Sequence, residues 1–220
     1  VVGTMCGIVG YVGPQQASPI LIDGLRRMEY RGYDSAGVAI INGDGVKVRK
    51  AAGKLSVLVD QLRTETPKGT VGIGHTRWAT HGAPTTPNAH PHLDQAGRIA
   101  VIHNGIIENA TAIRKALENR KHTFKSETDT EVLAHLIGAY YSGNLEQAVA
   151  AALRDVEGAY GIAVISADEP DLLVAARKGS PLLVGVGDGE YFVASEAAAI
   201  LEHTRSVVYL DDGEMAVLTR

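Results

Sequence analysis

The sequence contains one cysteine, Cys6, and it directly follows Met5. A cysteine at a mature N-terminus brings its own base, because its α-amino group titrates at about 7.7 to 8.0, near neutrality, on the same residue as the thiol. Removal of Met5 would make Cys6 such a residue. A nucleophile also needs donors for the oxyanion it creates. Asn104-Gly105 offers a carboxamide next to a glycine amide, although Asn-Gly is equally a plain turn signal. Arg77 supplies a planar fork that suits a carboxylate, and Asp129, at the start of a helical pattern, could hold an ammonium group. An α-amino acid carries both of those charges. The plainer readings are a surface ion pair for Arg77, a charge favouring the helix N-terminus for Asp129, and a small buried hydrophobe for Cys6.

A second chemistry competes. His75, His81, His90, His92 and His103 fall within one stretch, and His90-Pro91-His92 is a tempting pair of ligands for a metal-dependent hydrolase. No helical HExxH spacing is present, and no carboxylate is placed to complete a ligand set. No metal or other cofactor is therefore expected. Gly185, Gly187 and Gly189 form no dinucleotide fingerprint, since no helical pattern follows and Asp188-Gly189 reads as a hairpin turn.

The elements that must position these residues follow from patterning. CGIVGYVG reads as a buried strand with Cys6 at its leading end, and TVGIGHT and RIAVIHNG as two more, each running into polar residues. GHTRWATHG, from Gly74, reads as a functional loop, too polar for a core. Ser18-Pro19 predicts a helix start that runs to Gly32, and VAIINGDGVKVRKA a hairpin around Asp44-Gly45. SVLVDQLRTE predicts a short amphipathic helix. Asn109 predicts a helix cap, Thr128 with Glu131 a capping box, and Leu145 to Val156 an Ala-rich helix. Six strand-like runs then follow with tight turns, Asp188-Gly189 and Asp212-Gly213 among them, and SEAAAILEH as a short helix. Strands, then helices, then a strand meander argue for an α+β layered domain with mostly antiparallel sheet.

At 220 residues the chain is long enough for one domain with a substantial core. Its composition is 45% hydrophobic and 21% charged with a formal charge of -4, which suggests neither disorder nor a grip on nucleic acid. No apolar run reaches membrane-span length, no signal-peptide pattern opens the chain, and a lone thiol allows no internal disulfide. A cytoplasmic protein is expected. Residues 1 to 5 read as a remnant of expression followed by an initiator methionine, with the functional domain over residues 6 to 220.

CGIVGYVG, GLRRMEYRGYDSAG, GHTRWATHG, HNGIIEN and SETDTEV occur in an order and spacing that closely resemble the glutaminase half of the glucosamine-6-phosphate synthase family. Other class II glutamine amidotransferases are similar only at the terminal Cys-Gly, the arginine of the GHTRW-like motif and the Asn-Gly pair. The resemblance implies an N-terminal-nucleophile hydrolase fold, a four-layer α/β/β/α sandwich of two mainly antiparallel sheets. It implies that Cys6 is nucleophile and base, with Asn104 and Gly105 as the oxyanion hole. Arg77 then takes the glutamine carboxylate, Asp129 its ammonium, and Thr80 and His81 line the pocket, while Trp78 and Arg31 match positions linked to closing the site. Glutamine would yield glutamate and ammonia through a γ-glutamyl thioester. In the whole family enzyme, a homodimer, a sugar-isomerase half absent from these residues accepts that ammonia to convert fructose 6-phosphate into glucosamine 6-phosphate.

Overall fold

The computed structural model describes residues 6–79 and 82–220. Strand β1 (Gly7–Val12) begins one residue after Cys6. It pairs antiparallel with β4 (Val71–Arg77) on one side and β10 (Tyr191–Ala194) on the other. The hairpin of β2 (Ser35–Asn42) and β3 (Gly45–Ala52) extends the sheet beyond β4. Strands β9 (Leu183–Val186) and β11 (Val207–Tyr209) extend it beyond β10, which gives the order β11-β9-β10-β1-β4-β2-β3. The second sheet is built from β5 (His92–Leu93), β6 (Ile99–Ile107), β7 (Gly158–Ser166), β8 (Glu169–Lys178) and β12 (Met215–Thr219), in the order β12-β8-β7-β6-β5. Every ladder in both sheets is antiparallel.

Alternation along the strands sorts side chains into three apolar layers. Val9 and Tyr11 of β1 face α1 (Ala17–Arg27) and α2 (Leu55–Thr64), together with Val38 and Ile40 of β2. Ile8 and Val12 face the other way and meet Ala100, Ile102, Ala163 and Ile165 of the second sheet. Val101, Ile162 and Val164 point outward from that sheet onto α3 (Ala110–Asn119), α4 (Asp129–Tyr140) and α5 (Leu145–Arg154). The expected sandwich of helices, two sheets and helices is therefore present. Both faces of each sheet are covered, which explains why antiparallel strands read as unbroken apolar runs instead of alternating ones. No helix among the described residues is long and apolar enough to cross a membrane.

Several local expectations shift. The first helix is capped at Gln16 and holds Ser18 inside it, and it ends at Arg27, with a separate 3-10 turn over Glu29–Arg31. The β2–β3 turn centres on Gly43-Asp44, because Asn42 pairs with Gly45. Asp212-Gly213 does not close a hairpin: β11 lies in the first sheet and β12 in the second, so this turn carries the chain between them. SEAAAILEH supplies only a 3-10 turn at Ala197–Ala199. Thr128 caps α4 by accepting from the Glu131 amide at 3.3 Å, but the Glu131 carboxylate turns to the amides of Lys125 and Ser126, at 2.8 and 2.7 Å. Only half of the capping box forms.

The rings of His75 of β4, His90, and His92 of β5 lie in a row, tilted and then edge to face, with centroids 4.2 and 5.0 Å apart, and none is more than 5% exposed. Burial drives the His75 pKa down to about 3 and holds His90 and His92 well below the ordinary range. The folded protein thus keeps three rings neutral that the unfolded chain protonates near pH 6.5. The unfolded state then binds more protons at lower pH, so stability is full above about pH 6.5 and falls as the pH drops toward 3. By pH 5 His75 alone accounts for a loss of about 2 kcal/mol, with His90 and His92 acting in the same direction. Urea unfolding at pH 7.5, 6 and 5 should show the midpoint falling steeply. A flat midpoint would mean that these rings already carry protons in the folded state.

Candidate active site

The register of β1 against β4 sets Gly7 opposite Thr76, which brings Cys6 alongside the end of β4. There the Trp78 amide donates to the Cys6 sulfur at 3.1 Å, and the thiol lies 3.6 Å from the Trp78 carbonyl. Burial raises the thiol pKa, opposed by the Trp78 amide and the Arg77 charge. The thiol therefore needs a base to act near neutrality. Strand β6 of the other sheet delivers Asn104, whose Nδ2 donates to the Cys6 carbonyl at 2.9 Å. Gly105 follows with φ +128°, and a Cβ there would sit 2.1 Å from the Ala159 carbonyl oxygen. Only glycine fits that position.

One cavity of about 250 Å³ is lined by Cys6, Arg77, Trp78, Asn104, Gly105 and Asp129, among others. Asp129 opens α4, and its Oδ2 accepts from the Ile107 amide at 2.9 Å. Thr128 beside it is held by His92 Nε2 at 2.9 Å as well as by its capping bond. Arg77 is the last residue of β4 and only 4% exposed, and its guanidinium donates to the carbonyls of Ala83 and Gly82 at 3.3 and 3.2 Å. The polar stretch GHTRW therefore does not begin as a loop. His75, Thr76 and Arg77 are buried strand residues; His75 Nε2 and the Arg77 guanidinium find hydrogen-bond partners there.

Trp78 is 42% exposed at the rim, with its ring 3.5 Å from where a Cβ on Gly32 would lie. Arg31 pairs with Glu196 at 3.4 Å and does not line the cavity. Thr80 and His81 lie outside the described residues. The sequence reading assigned nothing to Asp34, yet its carboxylate accepts from the Ala79 amide at 2.5 Å and its own amide donates to the Arg77 carbonyl at 2.7 Å. It thereby pins the chain on both sides of Trp78. Its place in the polar segment EYRGYDSAG was the available signal. Ser195, 7% exposed, also lines the cavity and gave no such signal.

The described histidines do not converge as ligands. His75 Nε2 is committed to the His103 carbonyl and to Asn104, His92 Nε2 to Thr128, and His103 Nδ1 to Thr130. Among the described residues no group of three or more His, Cys, Asp or Glu side chains is arranged to hold a metal ion.

Comparison with known proteins agrees with this geometry. A glutamine amidotransferase domain family matches residues 75–202. The chain is 56% identical over 216 residues to glutamine–fructose-6-phosphate aminotransferase (isomerizing) of Thermus thermophilus. It is 53% identical over 216 residues to the protein of the same description from Caldanaerobacter subterraneus. Each alignment covers 98% of this chain, and the chain spans 36% of the length of these relatives. Among solved structures, the glutamine phosphoribosylpyrophosphate amidotransferase of B. subtilis superposes with a TM-score of 0.84 at 29% identity, over 97% of this chain and 47% of that one. A structure described as the allosteric regulatory enzyme of purine biosynthesis gives 0.85 at 30% identity, with the same coverage. The two-sheet sandwich is the fold of the N-terminal-nucleophile amidotransferases. Because the matched region takes in more than half of its length, the chain belongs to the glutamine amidotransferase domain family.

Proposed function

We propose that residues 6 to 220 form a glutaminase domain, which hydrolyses the side-chain amide of L-glutamine with Cys6 as nucleophile. The observation that carries this reading is the shared cavity, where one thiol, a carboxamide, a glycine amide, a guanidinium and a carboxylate meet in a space suited to one amino acid. The α-amine of Cys6 takes the thiol proton, and the thiolate attacks the amide carbon. The developing oxyanion is met by Asn104 and by the Gly105 amide. The α-ammonium then protonates the departing nitrogen, ammonia leaves, and a γ-glutamyl thioester remains. Water, deprotonated by the same amine, attacks the thioester to give glutamate and the free thiol. Arg77 takes the substrate carboxylate and Asp129 the ammonium, and Trp78 closes the mouth.

Identity of 53 to 56% to the fructose-6-phosphate aminotransferases, against 29% to the phosphoribosylpyrophosphate amidotransferase and 30% to the regulatory enzyme of purine biosynthesis, favours fructose 6-phosphate as the acceptor of the ammonia in a full-length, cytoplasmic protein with a sugar-isomerase half. That acceptor reaction makes glucosamine 6-phosphate.

Protein that begins at Cys6 should convert glutamine to glutamate, and Cys6→Ala should abolish this. Protein that keeps residues 1 to 5 should be slower by about 10² to 10⁴, the usual worth of general-base help, because an amide nitrogen cannot accept the thiol proton. The N-termini are confirmed by mass, and equal rates would remove the α-amine as the base. For the substrate clamp, Arg77→Lys keeps the charge but loses the fork, so KM for glutamine should rise roughly tenfold or more with a smaller change in kcat. Unchanged KM would take Arg77 out of the binding site.

A further inference from the structure

His75 does not line the cavity and is fully buried, but its Nε2 lies 2.9 Å from Asn104 Oδ1 and 3.1 Å from the His103 carbonyl. The Cys6 carbonyl can only accept, so the Asn104 atom 2.9 Å from it is the nitrogen, and the oxygen faces His75. Both neighbours of His75 Nε2 are then acceptors, and Nε2 must carry the hydrogen. Its Nδ1 is buried without a hydrogen-bond partner, so no group competes for the proton by donating to or accepting from the other side of the ring. Nothing in this arrangement favours the opposite tautomer.

We propose that His75 is a positioning residue for the oxyanion hole, one that locks the Asn104 carboxamide with its NH₂ toward Cys6 by donating Nε2–H to Asn104 Oδ1. The inference rests on the glutaminase reading above. A carboxamide is planar, with two N–H groups on one end. When one of the two is spent on the Cys6 carbonyl, the other stays directed into the cavity beside the sulfur. Rotation by 180° would set the carboxamide NH₂ against the His75 N–H and its oxygen against both the Cys6 carbonyl and the oxyanion. His75 makes that flip costly from the far side, where the substrate cannot reach. Its backbone adds a second link, because it belongs to the β4 strand that ends at Arg77, just ahead of Trp78. One strand thus positions the carboxylate fork by its end and the oxyanion donor by its middle.

The test uses protein with a verified N-terminus and four variants, all checked for folding by thermal unfolding. His75→Met keeps length and apolar bulk but has no donor, whereas His75→Gln places an amide N–H near the position of Nε2. Loss of an oxyanion donor costs about 10² to 10³ in kcat. His75→Met should lower kcat by roughly 10 to 10²-fold, with KM for glutamine within about twofold of the parent, because the oxyanion forms only on the way to the transition state. His75→Gln should recover kcat to within about fivefold of the parent protein by restoring the donor. In an Asn104→Ala background the same His75→Met change should alter kcat by less than about twofold, since the residue through which it acts is gone. A Gln variant as slow as the Met variant, a rise in KM that accounts for the whole loss, or losses that multiply in the double variant would each overturn the proposal. Should His75→Met not fold, His75→Asn, whose amide stops short of Asn104, is read against His75→Gln in the same way. If the parent protein itself does not turn over glutamine, the glutaminase reading falls first and this one with it. Turnover that Cys6→Ala abolishes keeps the two outcomes separate.

Discussion

The hydrogen bond from the Asn104 side chain to the Cys6 carbonyl joins the leading end of the first sheet to β6 of the second. Without it the thiol and the carboxamide would belong to separate layers, each free to settle by its own packing. The rest of the site can be read as support for that contact. The inter-sheet core of Ile8, Ile73, Ala100 and Ile102 sets the distance between the layers, and interdigitated apolar contact leaves little slack. Gly105 lets β6 press against β7 at Ala159, where any side chain would push the strand away. His75 and His103 then supply polar bonds across the same gap, in a place where unpaired groups would cost about 1 to 3 kcal/mol each.

The substrate-clamp candidates depend on a second, softer layer of support. Arg77 leans on the carbonyls of Gly82 and Ala83, and Asn88 holds Ala83 in turn while its carboxamide also bonds Glu127 at both ends. Lys50 reaches across from β3 to donate to the carbonyls of Pro87, Ala89 and Pro91. A segment with no regular ladder is thereby fixed by the nearby Arg77 and by Lys50 and Glu127 from distant parts of the chain, and it ends at His92, which holds Thr128 next to Asp129. The two charged ends of the cavity are therefore linked through one path of polar contacts.

Much of this was legible in the sequence and some was not, for definite reasons. The strands at CGIVGYVG, TVGIGHT and RIAVIHNG stand out because both faces of each sheet are buried, which leaves apolar runs too long for a loop. Cys6, Asn104, Gly105, Arg77 and Asp129 could be named from chemical type and motif, and all five line one cavity. Their convergence could not be read from spacing, since it depends on two sheets meeting face to face. Arg77, read as part of a polar loop, ends the strand instead, because polarity alone does not reveal the Gly82 and Ala83 carbonyls that receive its guanidinium. The sheet change at Asp212-Gly213 was hidden for a similar reason: a turn residue fixes local backbone shape but does not say which edge the next strand will join. Asp34 was overlooked because its role is to accept from backbone amides, and such a role leaves no signature in residue type.

The pairing of β1 has a consequence in time. Its partners on one side lie within the first 77 residues, but on the other side the Ile8 amide bonds Ser195, 187 residues further along. At synthesis rates of about 5 to 20 residues per second, a ribosome needs on the order of ten to forty seconds to make the intervening chain. Until β10 is made, β1 keeps a vacant edge, and the cavity wall that includes Ser195 does not exist. Among the described strands β1 thus waits longest for its last partner, and the thiol of Cys6 lacks its finished surroundings until most of the chain has been made.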